Sequence, residues 1–155
     1  MQPDFSIFLD VNLRNPWWRL QEVFDCLKQA CWVKLNIHEL HQLGFNSGDI
    51  GDAMQRLQNQ FQLEQVIVTQ GAQGAIVLDN REKIHQAKPD PIDHIVDTVG
   101  AGDGFSALYI HGLRKGWPIE EILRKAQIFA SKVIGIRGAT TNEKDFYRGL
   151  VNSSN

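Results

Sequence analysis

The run Asp97-Thr-Val-Gly-Ala-Gly-Asp103-Gly-Phe sets two glycines and an alanine directly before an aspartate, at the start of an apolar pattern with helical spacing. Gly100, Ala101 and Gly102 carry no bulky side chain, so their backbone N–H groups can come close to a ligand. If a helix starts here, those donors lack intrahelical partners and carry the positive end of its dipole, which suits a phosphate or a developing anion. Asp103 falls in the same first turn. A carboxylate beside an anion hole is what phosphoryl transfer to an alcohol needs: the base takes the hydroxyl proton while the N–H groups stabilise charge on the moving group. The plainer alternative is a glycine-rich turn that only caps a helix, because a bare Gly-x-Gly after a strand matches by chance.

Three other segments carry residue types of the same chemistry. Thr69-x-Gly71-x-x-Gly74 directly follows the apolar run Gln65-Val-Ile-Val; alone it reads as a hairpin turn. Asn36-Ile-His-Glu39 has the spacing of a helix N-cap with a capping-box glutamate. Asp10-Val-Asn12-Leu-Arg14 closes an apolar stretch, and ordinary strand-end polarity accounts for it. The Arg14 guanidinium nevertheless matches phosphate geometry, and Asp10 either orients Arg14 or Asn12 or touches a ligand.

The full string D-T-x-G-A-G-D resembles the signature of the ribokinase-like (PfkB-type) carbohydrate kinases, and the chain matches every fixed position of it. The resemblance implies that Asp103 is the catalytic base and that Gly100, Ala101 and Gly102 form the anion hole. It implies that Thr69, Gly71 and Gly74 line the nucleotide phosphates and ribose of ATP, with Arg14 on a nucleotide or substrate phosphate. It also implies that Asn36 and Glu39 organise Mg2+, water and phosphate. A hard cation paired with ATP is held by carboxylate and water, which Glu39 can supply, and capping is compatible with that role. In some members an aspartate equivalent to Asp97, with carbonyls near Val99 and the loop from Ile134 to Thr140, binds K+. The form D-V-N-L-R, followed here by Asn15-Pro16-Trp17-Trp18, is most similar to bacterial fructokinase-type members, so fructose is the expected sugar substrate.

These residues need strands that end beside helices that begin. Phe5 to Asn12 reads as a buried strand broken by Asn15-Pro16, and Trp17 to Cys31 has helical spacing. Trp32 to Asn36 is a second strand, and His38 to Leu43 a short helix ended by Gly44. Ser47 caps a helix from Ile50 to Phe61. Gln65 to Thr69 and Ala75 to Asp79 are strands joined by a tight turn over Gly71 to Gly74. Asp79-Asn80 turns into Lys83-Ile-His-Gln, and Ile95 to Asp97 is a short strand. Gly102 to Lys115 is a helix ended by Gly116, and Pro118 opens, from its first turn, a helix reaching Ile134. Glu143 to Gly149 forms a last short helix. Alternating strands and helices predict an α/β fold with a largely parallel sheet, whose ligands gather at the C-terminal strand ends. The resemblance implies a ribokinase-like, Rossmann-like three-layer αβα sandwich.

With 155 residues the chain fits a single domain, 1–155. Charge is near balance, 16 Lys+Arg against 18 Asp+Glu, so there is no basic field for a nucleic-acid partner. Apolar runs are too short to span a membrane, and the first residues have neither the basic nor the apolar region of a signal peptide. Cys26 and Cys31 read as reduced thiols, and a cytoplasmic location is expected. The five histidines have no metal spacing: His85 and His94 are expected in solvated loops or edges, and His38, His41 and His111 on helix surfaces. The four tryptophans are expected in a core or an interface.

The resemblance, from Asp10 to Thr140, covers only the C-terminal half of such kinases. The N-terminal half, with most sugar-recognition residues and the lid, has no counterpart here, and loss of a lid slows transfer. An exposed edge at the first strand then favours a homo-oligomer, or a missing N-terminal half as partner. The leading expectation is an ATP-dependent sugar kinase half-domain. The alternatives are a catalytically silent nucleotide-binding fragment or subunit, and a kinase of a nucleoside or another alcohol.

Overall fold

The computed structural model describes residues 5–46, 48–89, 99–136, 141 and 144–148. They fall into two compact units, one of residues 1–71 and 75–85, the other of residues 72–74 and 86–155.

The first unit is built on strands β1 (Phe8–Asp10), β2 (Trp32–Asn36), β3 (Gln65–Thr69) and β4 (Ala75–Leu78). With β5 (Ile84–Ala87), which runs across the boundary after His85, they form one sheet in the order β1-β2-β3-β4-β5. β1, β2 and β3 are parallel, as expected, whereas β3 and β4 pair antiparallel. The sheet is therefore mixed, because the link from β3 to β4 is only a short 3-10 turn, Gly71–Gln73. A parallel return needs a crossover of a dozen residues or so.

β1 lies at the sheet edge, as expected, but has three residues rather than the eight from Phe5 to Asn12. Helix α1 (Leu20–Leu27) is likewise shorter than the apolar spacing suggests. It ends early, at Leu27 with Lys28 as C-cap, and it starts late because a turn over the cis Asn15-Pro16 bond precedes it: the Trp17 N–H donates to the Arg14 carbonyl at 2.7 Å, and Arg19 is still extended. This is the geometry of a turn with cis-proline at its third position.

Helix α2 (Ile37–Gln42) ends at Gly44, whose φ of +94° only glycine adopts without strain. Helix α3 (Ile50–Phe61) follows the predicted bounds. Asp49 is its N-cap, accepting from the Gly51 N–H at 2.9 Å; Ser47 lies outside the described residues. α3 buries Ala53, Met54, Leu57 and Phe61, a stripe at helical spacing, in a core with Leu27, Val33, Leu35, Val66 and Val68. The Phe61 ring meets Phe24 edge-on at 5.0 Å.

The β4–β5 turn contains a polar cluster that the sequence reading missed. Asp79 Oδ1 accepts from the Arg81 and Lys83 N–H groups, at 2.8 and 2.9 Å, while Oδ2 lies 2.9 Å from His85 Nε2. Gln58 of α3 donates to the Asp79 carbonyl at 2.9 Å. His85 thus lies on the edge strand β5, as expected, but is buried rather than solvated; His94 lies outside the described residues. Burial pushes the Asp79 carboxyl up, but its hydrogen bonds with His85 and the Lys83 and Arg81 backbone outweigh this, so it titrates below the usual carboxylate range. A carboxyl lowered by folding stabilises the fold above its unfolded pKa, and that contribution is lost as pH falls through the folded value. Asp79→Asn is therefore expected to flatten the acid limb of a stability–pH curve. A curve with unchanged acid dependence in urea titrations contradicts this.

The second unit contains helices α4 (Ala101–Lys115) and α5 (Ile119–Ile134), which pack on each other, and a 3-10 turn at Lys144–Tyr147. α4 ends at Gly116 in the left-handed conformation, and the Trp117 N–H donates to the Gly112 carbonyl. Pro118 is the N-cap of α5 rather than part of its first turn. Gly104 and Gly112 face α5 closely: a Cβ on Gly112 would come 2.6 Å from Ile122 Cγ1, and one on Gly104 3.1 Å from Val133 Cγ2. Lys125 is buried, with Nζ 4.8 Å over the Trp117 ring and 3.8 Å from Glu121. The strand expected at Ile95 to Asp97 lies outside the described residues. Among the described residues no helix is long and apolar enough to cross a membrane.

Candidate functional site

The signature forms the start of α4. Gly100 is the N-cap, with φ +82°, and its carbonyl accepts the Gly104 N–H at 2.8 Å. Ala101, Gly102 and Asp103 are the first three helical residues, whose N–H groups precede the first i→i−4 bond. Ser106 Oγ donates back to the Gly102 carbonyl at 3.0 Å. Gly102 and Asp103 are exposed and Ala101 is half-buried. The first turn therefore presents small residues, a left-handed glycine and an exposed carboxylate. Gly104 belongs to the helix packing instead. Asp97, the loop at 137–140 and with them the potassium reading lie outside the described residues.

In the first unit, strand register does the positioning. Asp10 pairs with Lys34, and Asn36 pairs with Thr69. Because Lys34 and Asn36 are two apart on β2, Asp10, Lys34, Asn36 and Thr69 share one sheet face at the C-terminal ends of three parallel strands. Lys34 is the residue that sequence reasoning passed over. Its side chain is only 9% exposed, and Nζ donates to both Asp10 oxygens at 2.9 and 2.8 Å. The signal was available: a lysine amid Trp32-Val and Leu35 in a buried strand needs a carboxylate, and Asp10 ends the preceding strand. Asp10 thus pairs with the buried Lys34 ammonium.

The capping box on α2 is complete. Asn36 Oδ1 accepts the Glu39 N–H at 2.9 Å, and Glu39 Oε2 accepts the Asn36 N–H at 2.8 Å. Glu39 is buried, and its Oε1 also accepts the Leu13 N–H at 3.1 Å. Each carboxylate oxygen thus keeps one lone pair, which fits contact with a hydrated Mg2+ through water. Among the described residues no three or more His, Cys, Asp or Glu side chains gather as a metal site, so such a cation would rely mainly on phosphate and water oxygens.

Arg14 is exposed. So is Trp17, at 84%, outside the core that was one of its two expected placements; Trp18 is half-buried and donates from Nε1 to Asn15 Oδ1 at 2.8 Å. Gly71, with φ +57°, has open space where a Cβ would stand. Gly74 differs: it is buried, with φ +97°, and a Cβ would fall 2.0 Å from the Ala87 carbonyl oxygen. Its glycine is required by the crossing 87–88 backbone. Gly71 is thus left open to a ligand in this loop, while Gly74 shapes the loop's end.

The pfkB family carbohydrate kinase model matches residues 4–145. The 2-dehydro-3-deoxygluconokinase of Haemophilus influenzae is 30% identical over 86% of this chain and 44% of its own length. The fructokinase of Klebsiella pneumoniae is 34% identical over 69% of this chain and 36% of its own. Among solved structures, Arabidopsis thaliana ribokinase complexed with ribose and ATP superposes with a TM-score of 0.74 at 24% identity, over 96% of this chain and 48% of that one. The chain spans less than half the length of these relatives and has their ribokinase-like fold.

Proposed function

Because the chain belongs to the pfkB family of carbohydrate kinases, we propose that it is the C-terminal, nucleotide-binding and catalytic half of an ATP-dependent sugar kinase, with fructose the leading acceptor. The observation that carries this reading is the start of α4, where an exposed Asp103 follows a left-handed glycine and two residues with unpaired helical N–H groups. In the proposed reaction Asp103 accepts the proton of the acceptor hydroxyl. The hydroxyl oxygen attacks the γ-phosphorus in line, and the bond to the bridging oxygen of ADP breaks. The N–H groups of Gly100, Ala101 and Gly102 stabilise charge on the moving phosphoryl group. Thr69 and Gly71 line the nucleotide, with Gly74 shaping that loop, and Arg14 meets a phosphate. Mg2+, when bound with ATP, would offset phosphate charge, and Asn36 and Glu39 are the residues that would hold it through water.

Fructose is supported by the D-V-N-L-R segment with the Asn15-Pro16-Trp17-Trp18 that follows it and by the similarity to a fructokinase; similarity to a 2-dehydro-3-deoxygluconokinase and to a ribokinase keeps the acceptor class broader, and a nucleoside or other alcohol is the alternative within it. The rival reading is a catalytically silent nucleotide-binding fragment or subunit. We further assign it to the cytoplasm and to self-association, or association with an N-terminal half, along the β1 edge. Calorimetric titration with Mg-ATP tests the nucleotide site: saturable binding is expected, and its absence contradicts both the kinase and the silent-fragment reading.

A further inference from the structure

We infer that Glu39 is a positioning residue for Arg14, acting through the backbone of Leu13 and independently of any cation. The inference rests on the nucleotide-site reading above and adds to it a second task for the same carboxylate. Glu39 Oε1 accepts the Leu13 N–H at 3.1 Å, across 26 residues of sequence. This is its bond outside the capping box, and it joins α2 to the segment leaving β1. Leu13 stands between Asn12 and Arg14.

On the other side of Arg14 the chain is held again. The Arg14 carbonyl accepts the Trp17 N–H at 2.7 Å, and the Trp18 indole N–H donates to Asn15 Oδ1 at 2.8 Å. Trp18 and Leu13 both pack against the core. An exposed arginine is thus carried on a backbone fixed one residue before it and at its own carbonyl. Such a side chain has only its own rotamers to lose on meeting a phosphate, so fixing its base raises affinity without a new contact. A buried carboxylate accepting backbone N–H groups makes a strong tether, because charged acceptors form about twice as strong a hydrogen bond as neutral ones.

A capping or magnesium role alone makes different predictions. If Glu39 works through Arg14, its loss weakens ATP binding even in EDTA, and the loss disappears once Arg14 is gone. The test is ATP titration without Mg2+ for the parent chain, Glu39→Gln, Arg14→Ala and the double variant. Glutamine offers one oxygen to two N–H donors, so one bond breaks while the volume is kept; Glu39→Ala is the second variant, and circular dichroism checks that each folds. A several-fold loss in Glu39→Gln that is absent in the Arg14→Ala background is expected, with faster amide hydrogen exchange at Leu13.

Additive losses, or a loss seen only with Mg2+ present, overturn the inference while leaving the nucleotide site standing. Unchanged exchange at Leu13 in folded Glu39→Ala, which removes both acceptor oxygens, overturns it too. A parent chain that binds no ATP with or without Mg2+ overturns the site reading itself, and this inference with it.

Discussion

Asp103→Asn is expected to lower acceptor-dependent ADP release about 100- to 10,000-fold, the usual contribution of a positioned base, while changing ATP affinity little. The asymmetry follows from the start of α4. Asparagine keeps the shape and the helix start, so Gly100 stays the N-cap and Ala101 and Gly102 stay in the first turn, ahead of the first i→i−4 bond. What it cannot do is accept the hydroxyl proton. Single-turnover rates beside calorimetric ATP titration separate the two effects. Equal losses of binding and turnover would place Asp103 in nucleotide binding and contradict its role as base.

The largest stability effect is expected at Asp10. Asp10→Ala removes both acceptors of the Lys34 ammonium, whose side chain is 9% exposed. A buried charge left without its partner costs about 3–5 kcal/mol, and the 30% exposure of the Asp10 side chain puts this site at the lower end. Even so, that is a large share of the roughly 5–15 kcal/mol by which domains are stable. Lys34→Met alone leaves a carboxylate that water can reach and is expected to cost less. In the double variant Asp10→Ala/Lys34→Met most of the loss is expected to return, since no buried charge remains. Urea unfolding of the four proteins reads the cycle, and additive losses would show that the pair is not coupled.

The parts legible in the sequence are those set by local chemistry. The spacing of Ala53, Met54, Leu57 and Phe61 marks α3 at both ends, and Gly44 and Gly116 mark helix ends because their φ angles suit glycine. The Asn36–Glu39 capping box and the helix start at the signature are local for the same reason. What escaped depends on partners distant in sequence. Lys34 becomes intelligible only once β1 and β2 are in register. Gly74 is glycine because residues 87–88 cross over it, and nothing near position 74 announces that. His85 looks like a hairpin-edge histidine until the Asp79 turn brings a carboxylate to it. Trp17 has helical spacing with the residues after it, but the turn closed between Arg14 and Trp17 delays α1 and leaves the ring outside. The tie from Glu39 to Leu13 links two motifs that sequence reasoning treated separately.

Acceptor-dependent ADP release decides whether this chain carries the phosphoryl-transfer machinery. The chain, with Mg-ATP, is assayed against a panel of sugars that includes fructose, beside Asp103→Asn. Slow ADP release that rises with fructose and is lost in the variant is expected. ATP binding with no acceptor raising release above the Asp103→Asn level would contradict it, leaving a nucleotide-binding fragment without transfer activity.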